Sequence, residues 1–206
     1  MRQTLSKKAM NSALKTHKAT QSALTPKNAR ALSKQKPCFT DFCEPLVVVG
    51  ARKMVRIRFY PFATKKRNSA KYLAILGLGS NMNDEKFTLK KLFRLLIDDK
   101  RIKVFASSSL LINKAFGFVA QRDFTNAVLF VQSALHARAL LKVLLHYELK
   151  FKRQRSFKNA PRTLDIDLLY FSAKCHNDGF CTLPHTGVNE RISVILPLGE
   201  ILERKV

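Results

Sequence analysis

The distribution of apolar and polar positions from residue 71 onward predicts four strands and two helices. Tyr72–Leu78 is a continuous apolar run with the length of a buried strand. Over residues 86–98, apolar side chains recur every three or four positions, which is typical of an amphipathic helix, and His136–Phe151 has the same period. The other apolar runs predict three strands and a short terminal element, at Ile102–Leu111, Asn126–Gln132, Asp165–Phe171 and Ile192–Ile201.

The order of these elements along the chain is β-α-β-β-α-β. This order is typical of a ferredoxin-like α/β (α+β) sandwich, which is the fold class that we predict. Ile192–Ile201 is then a short C-terminal addition to it. Residues 46–60 (LVVVGARKMVRIRFY) allow one further strand before the domain.

The N-terminal third of the chain differs in composition from the rest. Residues 1–70 hold 16 Lys and Arg but only 2 acids, and residues 1–40 hold no acid. Such a segment cannot bury enough apolar surface to fold alone, so we predict a basic, largely disordered extension over 1–70 and a folded domain over 71–206. Its origin stays open between a transit peptide, a nucleic-acid-binding tail, an upstream extension before a true start at Met54, and an unassigned tail.

The formal net charge of +24 indicates polyanionic partners, which are either nucleic acid or phosphorylated small molecules. No stretch approaches the roughly 18 apolar residues that a membrane span needs, so no membrane partner is expected. The four cysteines, Cys38, Cys43, Cys175 and Cys181, show no disulfide framework and are expected to be reduced thiols. We expect a cytoplasmic protein, or one in an organelle matrix if the extension is a transit peptide.

Two acids on the last predicted strand are candidate metal ligands. Asp165 and Asp167 stand at i and i+2, so strand alternation directs both side chains to one face. At about 3.3 Å per residue, their Cβ atoms should lie roughly 6–7 Å apart, which suits two divalent cations bridged by phosphate oxygens. The alternative is a pair of solvated acids on an exposed face.

The residues before this pair favour a phosphate ligand. Six basic residues and no acid lie between Lys150 and Arg162. Guanidinium groups bind phosphate oxygens bidentately, and metal ions neutralise part of the remaining charge. Together the basic run and the acid pair predict a polyphosphate site.

Several motifs, in a fixed order, then resemble one enzyme family. They are Gly79-Ser80-Asn81, Asp123-Phe124-Thr125-Asn126-Ala127, Ala160-Pro161-Arg162-Thr163-Leu164-Asp165-Ile166-Asp167, Leu183-Pro184-His185, Glu190-Arg191 and Leu196-Pro197-Leu198. Through them, the segment from Tyr72 to Ile201 resembles 6-hydroxymethyl-7,8-dihydropterin pyrophosphokinase. This folate-pathway family moves diphosphate from ATP to a dihydropterin alcohol and releases AMP.

The resemblance implies roles for particular residues. It makes Asp165 and Asp167 the ligands of two Mg²⁺ ions, with Arg153 and Arg162 as further catalytic residues on the phosphates and Glu148 orienting neighbouring groups. It assigns ATP binding to Arg155, Thr182, His185 and Arg191, and pterin binding to Asn126, Phe124, Gly117 and Phe116. We expect a monomer acting on ATP and the pterin alcohol.

Three alternatives remain from the residues themselves. Lys114-Ala-Phe-Gly-Phe-Val119 resembles an aromatic RNA-stacking motif of the same topology, although nucleic acid is not the expected partner. Cys175, His176, Cys181 and His185 are zinc-ligand types at an unusual spacing. Ser193 stands where many family members place an aromatic residue, and the chain has no Trp, so an inactive relative is the third alternative.

Overall fold

A seven-stranded antiparallel main sheet, a two-stranded hairpin and three helices make up the described part of the chain. The computed structural model describes residues 50–65, 70–115, 117–118, 120–153, 159–172 and 174–204. In chain order the elements are β1 (Ala51–Val55), β2 (Phe62–Ala63), β3 (Tyr72–Ser80), α1 (Glu85–Asp98), β4 (Ile102–Ser107), β5 (Leu110–Asn113), β6 (Phe124–Ser133), α2 (Ala137–Lys150), β7 (Asp165–Phe171), β8 (His176–Asn177), β9 (Thr182–Leu183) and α3 (Ile192–Glu203).

Strand β3 lies inside the main sheet, between β6 and β7, and pairs antiparallel with both. The other edge of β6 pairs with β5 near its start and with β4 near its end. Strands β1 and β2 extend the sheet by pairing with β5 and β4. The predicted mixed α/β class is confirmed, and the predicted terminal element is the helix α3.

The segment predicted as one strand over Ile102–Leu111 is two strands. Ser108 and Ser109 separate them, because their polar groups bond outside the regular ladder. The Val128 amide donates to the Ser108 hydroxyl at 3.0 Å, and the Ser109 amide and hydroxyl each donate to the Glu200 carboxylate at 2.6 Å. Glu200 lies on α3, 91 residues further along, so no local pattern could show the break.

The two faces of the sheet bury different sets of side chains. One face packs against α1 and α2, through buried residues such as Leu92 and Leu144. The opposite face packs against α3, through Val194 and Ile201. Strand alternation divides neighbouring residues between these clusters, which decides where polar side chains of the same strands point.

The sheet begins earlier in the chain than the predicted boundary at residue 71. Tyr60 is fully buried, and its hydroxyl donates to the Leu89 carbonyl of α1 at 3.1 Å. The Phe59 ring stacks on Phe93 with centroids 4.8 Å apart. Residues 50–65 are thus part of the folded unit, which corrects the boundary, and a chain starting at Met54 would lack three of the five residues of β1. The predicted strand within 46–60 is β1, and residues 1–49 lie outside the described ranges.

Strand β1 carries charged side chains, which is why the apolar pattern of the sequence did not place it in the folded domain. Arg52 and Lys53 are exposed on β1, so the strand has no apolar alternation. Its pairing with β5 is visible only in the tertiary structure. Within the described ranges, none of the helices has the length and apolar content needed to cross a bilayer.

The C-terminal end of α1 is fixed by one carboxylate. Asp99 accepts hydrogen bonds from Arg101 Nε at 2.9 Å and Nη2 at 2.8 Å, and from the Tyr147 hydroxyl of α2 at 2.8 Å. The Arg101 hydrogen bonds are the main reason why the pKa of Asp99 falls to about 2. The ionised carboxylate therefore joins the ends of α1 and α2.

Asp99→Asn should lower the free energy of unfolding by about 1 kcal/mol at pH 7, since the ion pair is partly solvated. A carboxyl group whose pKa falls on folding stabilises the protein above its unfolded pKa, near 3.8, and loses that effect as pH falls towards 2. Urea unfolding at pH 7 and pH 2.5 tests this, with the exposed neighbour Asp98→Asn as control. An equal loss at both pH values would contradict the charge argument.

Candidate active site

The two predicted metal ligands lie on one face of β7, at its start. Asp165 pairs in register with Gly79 of β3, and Asp167 with Gly77. Ile166 between them is buried in the cluster that contains α1 and α2, so both acids lie on the opposite face. A Cβ atom on Gly79 would stand 3.0 Å from Asn126 Oδ1. The glycine therefore leaves the space in which the acids and Asn126 come together.

Asp165 is held by two guanidinium groups. Arg153 Nη1 lies 2.8 Å from Asp165 Oδ1, and Arg162 Nη1 lies 2.6 Å from Oδ2. Arg162 is also fixed through its backbone, which exchanges hydrogen bonds with Asn81 at 2.8 and 3.1 Å. The Gly-Ser-Asn turn thus positions the Arg162 side chain next to the acid pair.

Asp167 has weaker partners. The basic side chains nearest to it are Arg191, with Nη1 at 3.6 Å, and His185, with Nε2 at 3.9 Å, both beyond direct hydrogen bonds. Burial, and next the negative charge of Asp165, raise the pKa of Asp167, which these cations and Arg153 partly offset. An environment that disfavours a second negative charge is one in which a bound cation is stabilised.

The donor set of this site fits magnesium. Two carboxylates are hard oxygen ligands, and Mg²⁺ is typically held by one or two carboxylates with substrate phosphate and water completing its shell. Among the described residues, no group of three or more Cys, His, Asp or Glu side chains is placed to hold an ion. This also removes support from the zinc alternative, since Cys181 is buried and Cys175 exposed.

Glu148 of α2 holds Arg153, one of the two arginines that contact Asp165. The Glu148 side chain is 4% exposed and accepts a hydrogen bond from the Ile166 amide at 2.7 Å. It also forms an ion pair with Arg153 Nη1. Burial raises the pKa of Glu148, while the Ile166 amide and Arg153 act in the other direction. The carboxylate connects the end of α2 to the start of β7.

Three of the predicted pterin residues are described, and one of them, Phe124, lies beside an arginine. The Phe124 ring centroid is 5.3 Å from the Arg162 guanidinium carbon. Asn126 is buried, and its Nδ2 donates to Asn113 Oδ1 at 2.6 Å. Gly117 has a φ of +82° and lies against Asn159, so this position favours glycine. The side of the site near β5 and β6 is therefore aromatic and amide-rich.

The remaining predicted residues are distributed as follows. His185 and Arg191 flank Asp167, as given above. Thr182 lies on β9, where its hydroxyl donates to Asn177 Oδ1 of the same hairpin at 3.3 Å. Arg155 and Phe116 lie outside the described residues, so their roles stay predictions. The sequence analysis assigned no side-chain role to Asn113 or Asn81. Of the two, only Asn81 belongs to one of the ordered family motifs.

Comparisons with known proteins agree with this geometry. The family model of 7,8-dihydro-6-hydroxymethylpterin-pyrophosphokinase (HPPK) matches residues 75–203. A 2-amino-4-hydroxy-6-hydroxymethyldihydropteridine pyrophosphokinase of Campylobacter jejuni is 58% identical over 156 residues, which are 76% of this chain and 99% of the relative. The protein of that name from Helicobacter pylori is 36% identical over 158 residues, 75% of this chain and 97% of the relative.

The fold and these matches define the protein as an α/β transferase of the pyrophosphokinase class. Within that class, the chain belongs to the 7,8-dihydro-6-hydroxymethylpterin-pyrophosphokinase family. The family predicted from the ordered motifs is thereby confirmed.

Proposed function

We propose that the acid pair of β7 and the cations around it perform the diphosphate transfer of this family. As a pyrophosphokinase, the protein transfers diphosphate from ATP to 6-hydroxymethyl-7,8-dihydropterin in folate biosynthesis. The hydroxymethyl oxygen attacks the β-phosphorus in line, the bond from that phosphorus to the α–β bridging oxygen breaks, and AMP leaves. The observation that supports the assignment is the close packing of Asp165 and Asp167 with Arg153, Arg162, His185 and Arg191.

Asp165 and Asp167 would hold two Mg²⁺ ions. When bound, such ions neutralise phosphate charge and polarise the transferred group. The protein's own contribution is positioning, since little covalent chemistry is required of the side chains in phosphoryl transfer. The raised pKa of Asp167 supports the fit, because a divalent cation removes the repulsion between the two carboxylates.

Arg153 and Arg162 retain donors for phosphate oxygens. A guanidinium carries five N–H groups. Arg162 directs Nη1 to Asp165 and Nε to the Ala160 carbonyl at 3.2 Å, so, as far as the described residues go, the Nη2 donors remain for a ligand. Arg153 Nε is buried and has no hydrogen-bond partner within the described chain. Such an unsatisfied donor supports a role in binding an anion that completes the site.

The two substrates would occupy opposite sides of the acid pair. We assign the ATP side to His185 and Arg191 beside Asp167, with Thr182 and Arg155 as further contacts. The pterin side comprises Asn126 and Phe124, with Gly117 and Phe116 in the adjacent segment. A flat heterocycle needs a stacking surface and a few amide-type partners, which this side supplies.

The strand order and the positions of α1 and α2 also support the ferredoxin-like description of the core. We further propose that the enzyme acts as a monomer. The RNA-binding alternative is less well supported. The described residues of its motif (114, 115, 117 and 118) lie between β5 and β6 instead of on a strand, where stacking aromatics would need to stand.

With ATP, Mg²⁺ and the pterin alcohol, the purified protein should release one AMP per pterin diphosphate formed, and no ADP. The reason is that attack at the β-phosphorus transfers two phosphoryl units together. Chromatography of the nucleotide products measures this. A 6-methyl pterin without the hydroxyl is the matched control, since it has no attacking oxygen and should give no AMP. ADP as the product would overturn the assignment.

A further inference from the structure

Strand β1, together with Gly50 immediately before it, contacts both ends of the segment that joins β5 to β6. It lies outside residues 75–203, the part of the chain that the family model matches. At the start of that segment, the Lys114 amide donates to the Gly50 carbonyl at 2.8 Å. At its end, Arg52 Nε donates to Asp123 Oδ2 at 3.0 Å. This N-terminal strand thus holds the two points from which the pterin side of the site is built.

The Arg52 contact depends on a β-bulge. Ala51 pairs with Asn113 and Lys53 with Ile112, so Arg52 is the extra residue between two consecutive partners on β5. A bulge redirects the side chain of its extra residue. Here the redirected guanidinium reaches Asp123, the residue immediately before Phe124 at the start of β6.

The contact at Gly50 leads to Asn126 through three hydrogen bonds. Lys114 donates its amide to Gly50 and accepts from Asn113 Nδ2 at 2.9 Å through its carbonyl. Asn113 Oδ1 in turn accepts from Asn126 Nδ2 at 2.6 Å. Each amide is therefore fixed in orientation, and the Asn126 oxygen is left as an acceptor beside Gly79. An acceptor at this point suits the N–H groups of a pterin ring.

We propose that β1 is a positioning element for the pterin substrate, with Arg52 as its key side chain. Arg52 acts on Phe124 through its contact with Asp123. The backbone at Gly50 acts on Asn126 through Lys114 and Asn113. This inference rests on the proposed function. It assigns substrate recognition in part to a strand outside the region that defines the family.

Arg52→Ala in the full chain tests the proposal. The ion pair is surface-exposed, so its loss should weaken binding of the pterin alcohol about two- to fivefold. The effect should fall on the KM for the pterin and on its Kd in the presence of a non-hydrolysable ATP analogue. The KM for ATP and kcat should stay within about twofold, because Arg52 does not contact the acid pair.

Two further variants separate positioning from general stability. Lys53→Ala removes an exposed cation from the same strand and should leave the pterin KM unchanged. Arg52→Asp combined with Asp123→Arg restores an ion pair and should recover most of the binding that each single change loses. Equal effects of Arg52→Ala on both substrates, or no recovery in the double variant, would overturn the proposal. If the wild-type enzyme is active and the Arg52→Ala variant has unchanged pterin binding, this inference alone is refuted. If the wild type makes no AMP, the proposed function is refuted and this inference falls with it.

Discussion

Asp167→Asn is expected to abolish diphosphate transfer and, at the same time, to make the protein harder to unfold. The amide cannot replace a carboxylate as a ligand of two divalent cations, so kcat should fall at least about 10³-fold. The same change removes a charge that the folded protein disfavours, since burial and Asp165 raise the pKa of Asp167. With the side chain about a third exposed, we expect a gain of roughly 0.5–1 kcal/mol in the free energy of unfolding.

Asp165→Asn provides the matched comparison. It should be equally inactive but less stable than the wild type, because Asp165 forms close ion pairs with Arg153 and Arg162. AMP release and thermal unfolding without nucleotide or metal measure both quantities, with the exposed Asp98→Asn as control. The two-metal assignment fails if either variant retains a tenth of the wild-type kcat. A destabilised Asp167→Asn would contradict the electrostatic argument.

Glu148→Ala should cause the largest loss of stability, about 3 kcal/mol. The change leaves the Arg153 guanidinium, which is 9% exposed, with Asp165 as its remaining carboxylate. It also removes the acceptor of the buried Ile166 amide. Breaking a buried ion pair on one side typically costs several kcal/mol, because a charge remains that is neither hydrated nor paired. For a chain of this size, the midpoint of thermal unfolding should fall by roughly 10 °C.

Two substitutions refine this test. Glu148→Gln keeps an acceptor for the Ile166 amide and should lose less stability than the alanine variant. Glu148→Leu combined with Arg153→Met removes both charges and should recover most of the stability, but not the activity, since Arg153 is assigned to the phosphates. The exposed Glu203→Ala serves as control. A Glu148→Ala protein as stable as this control would show that the buried pair contributes little.

The local elements of this protein were predictable because their signals are periodic. The apolar period of α1 and α2 reflects burial of one helix face, and the apolar residues of β3 and β7 reflect the buried positions of these strands. The predicted common face of Asp165 and Asp167 followed from strand alternation alone. In contrast, β1 has no apolar alternation, since Arg52 and Lys53 are exposed, and its place in the sheet depends on pairing with β5.

The sequence by itself thus determined the helices α1 and α2, the strands β3, β6 and β7, the acid pair and, through the order of its motifs, the family. Only the tertiary structure decided which partners these groups meet. Arg52 and Asp123 are 71 residues apart, and Ser109 and Glu200 are 91 apart. Such contacts leave no periodic trace, because each is a single polar pair brought together when distant elements pack. The sequence placed arginines near the acid pair, but the folded chain decided that Arg153 and Arg162 pair with Asp165 while Asp167 is left with more distant cations.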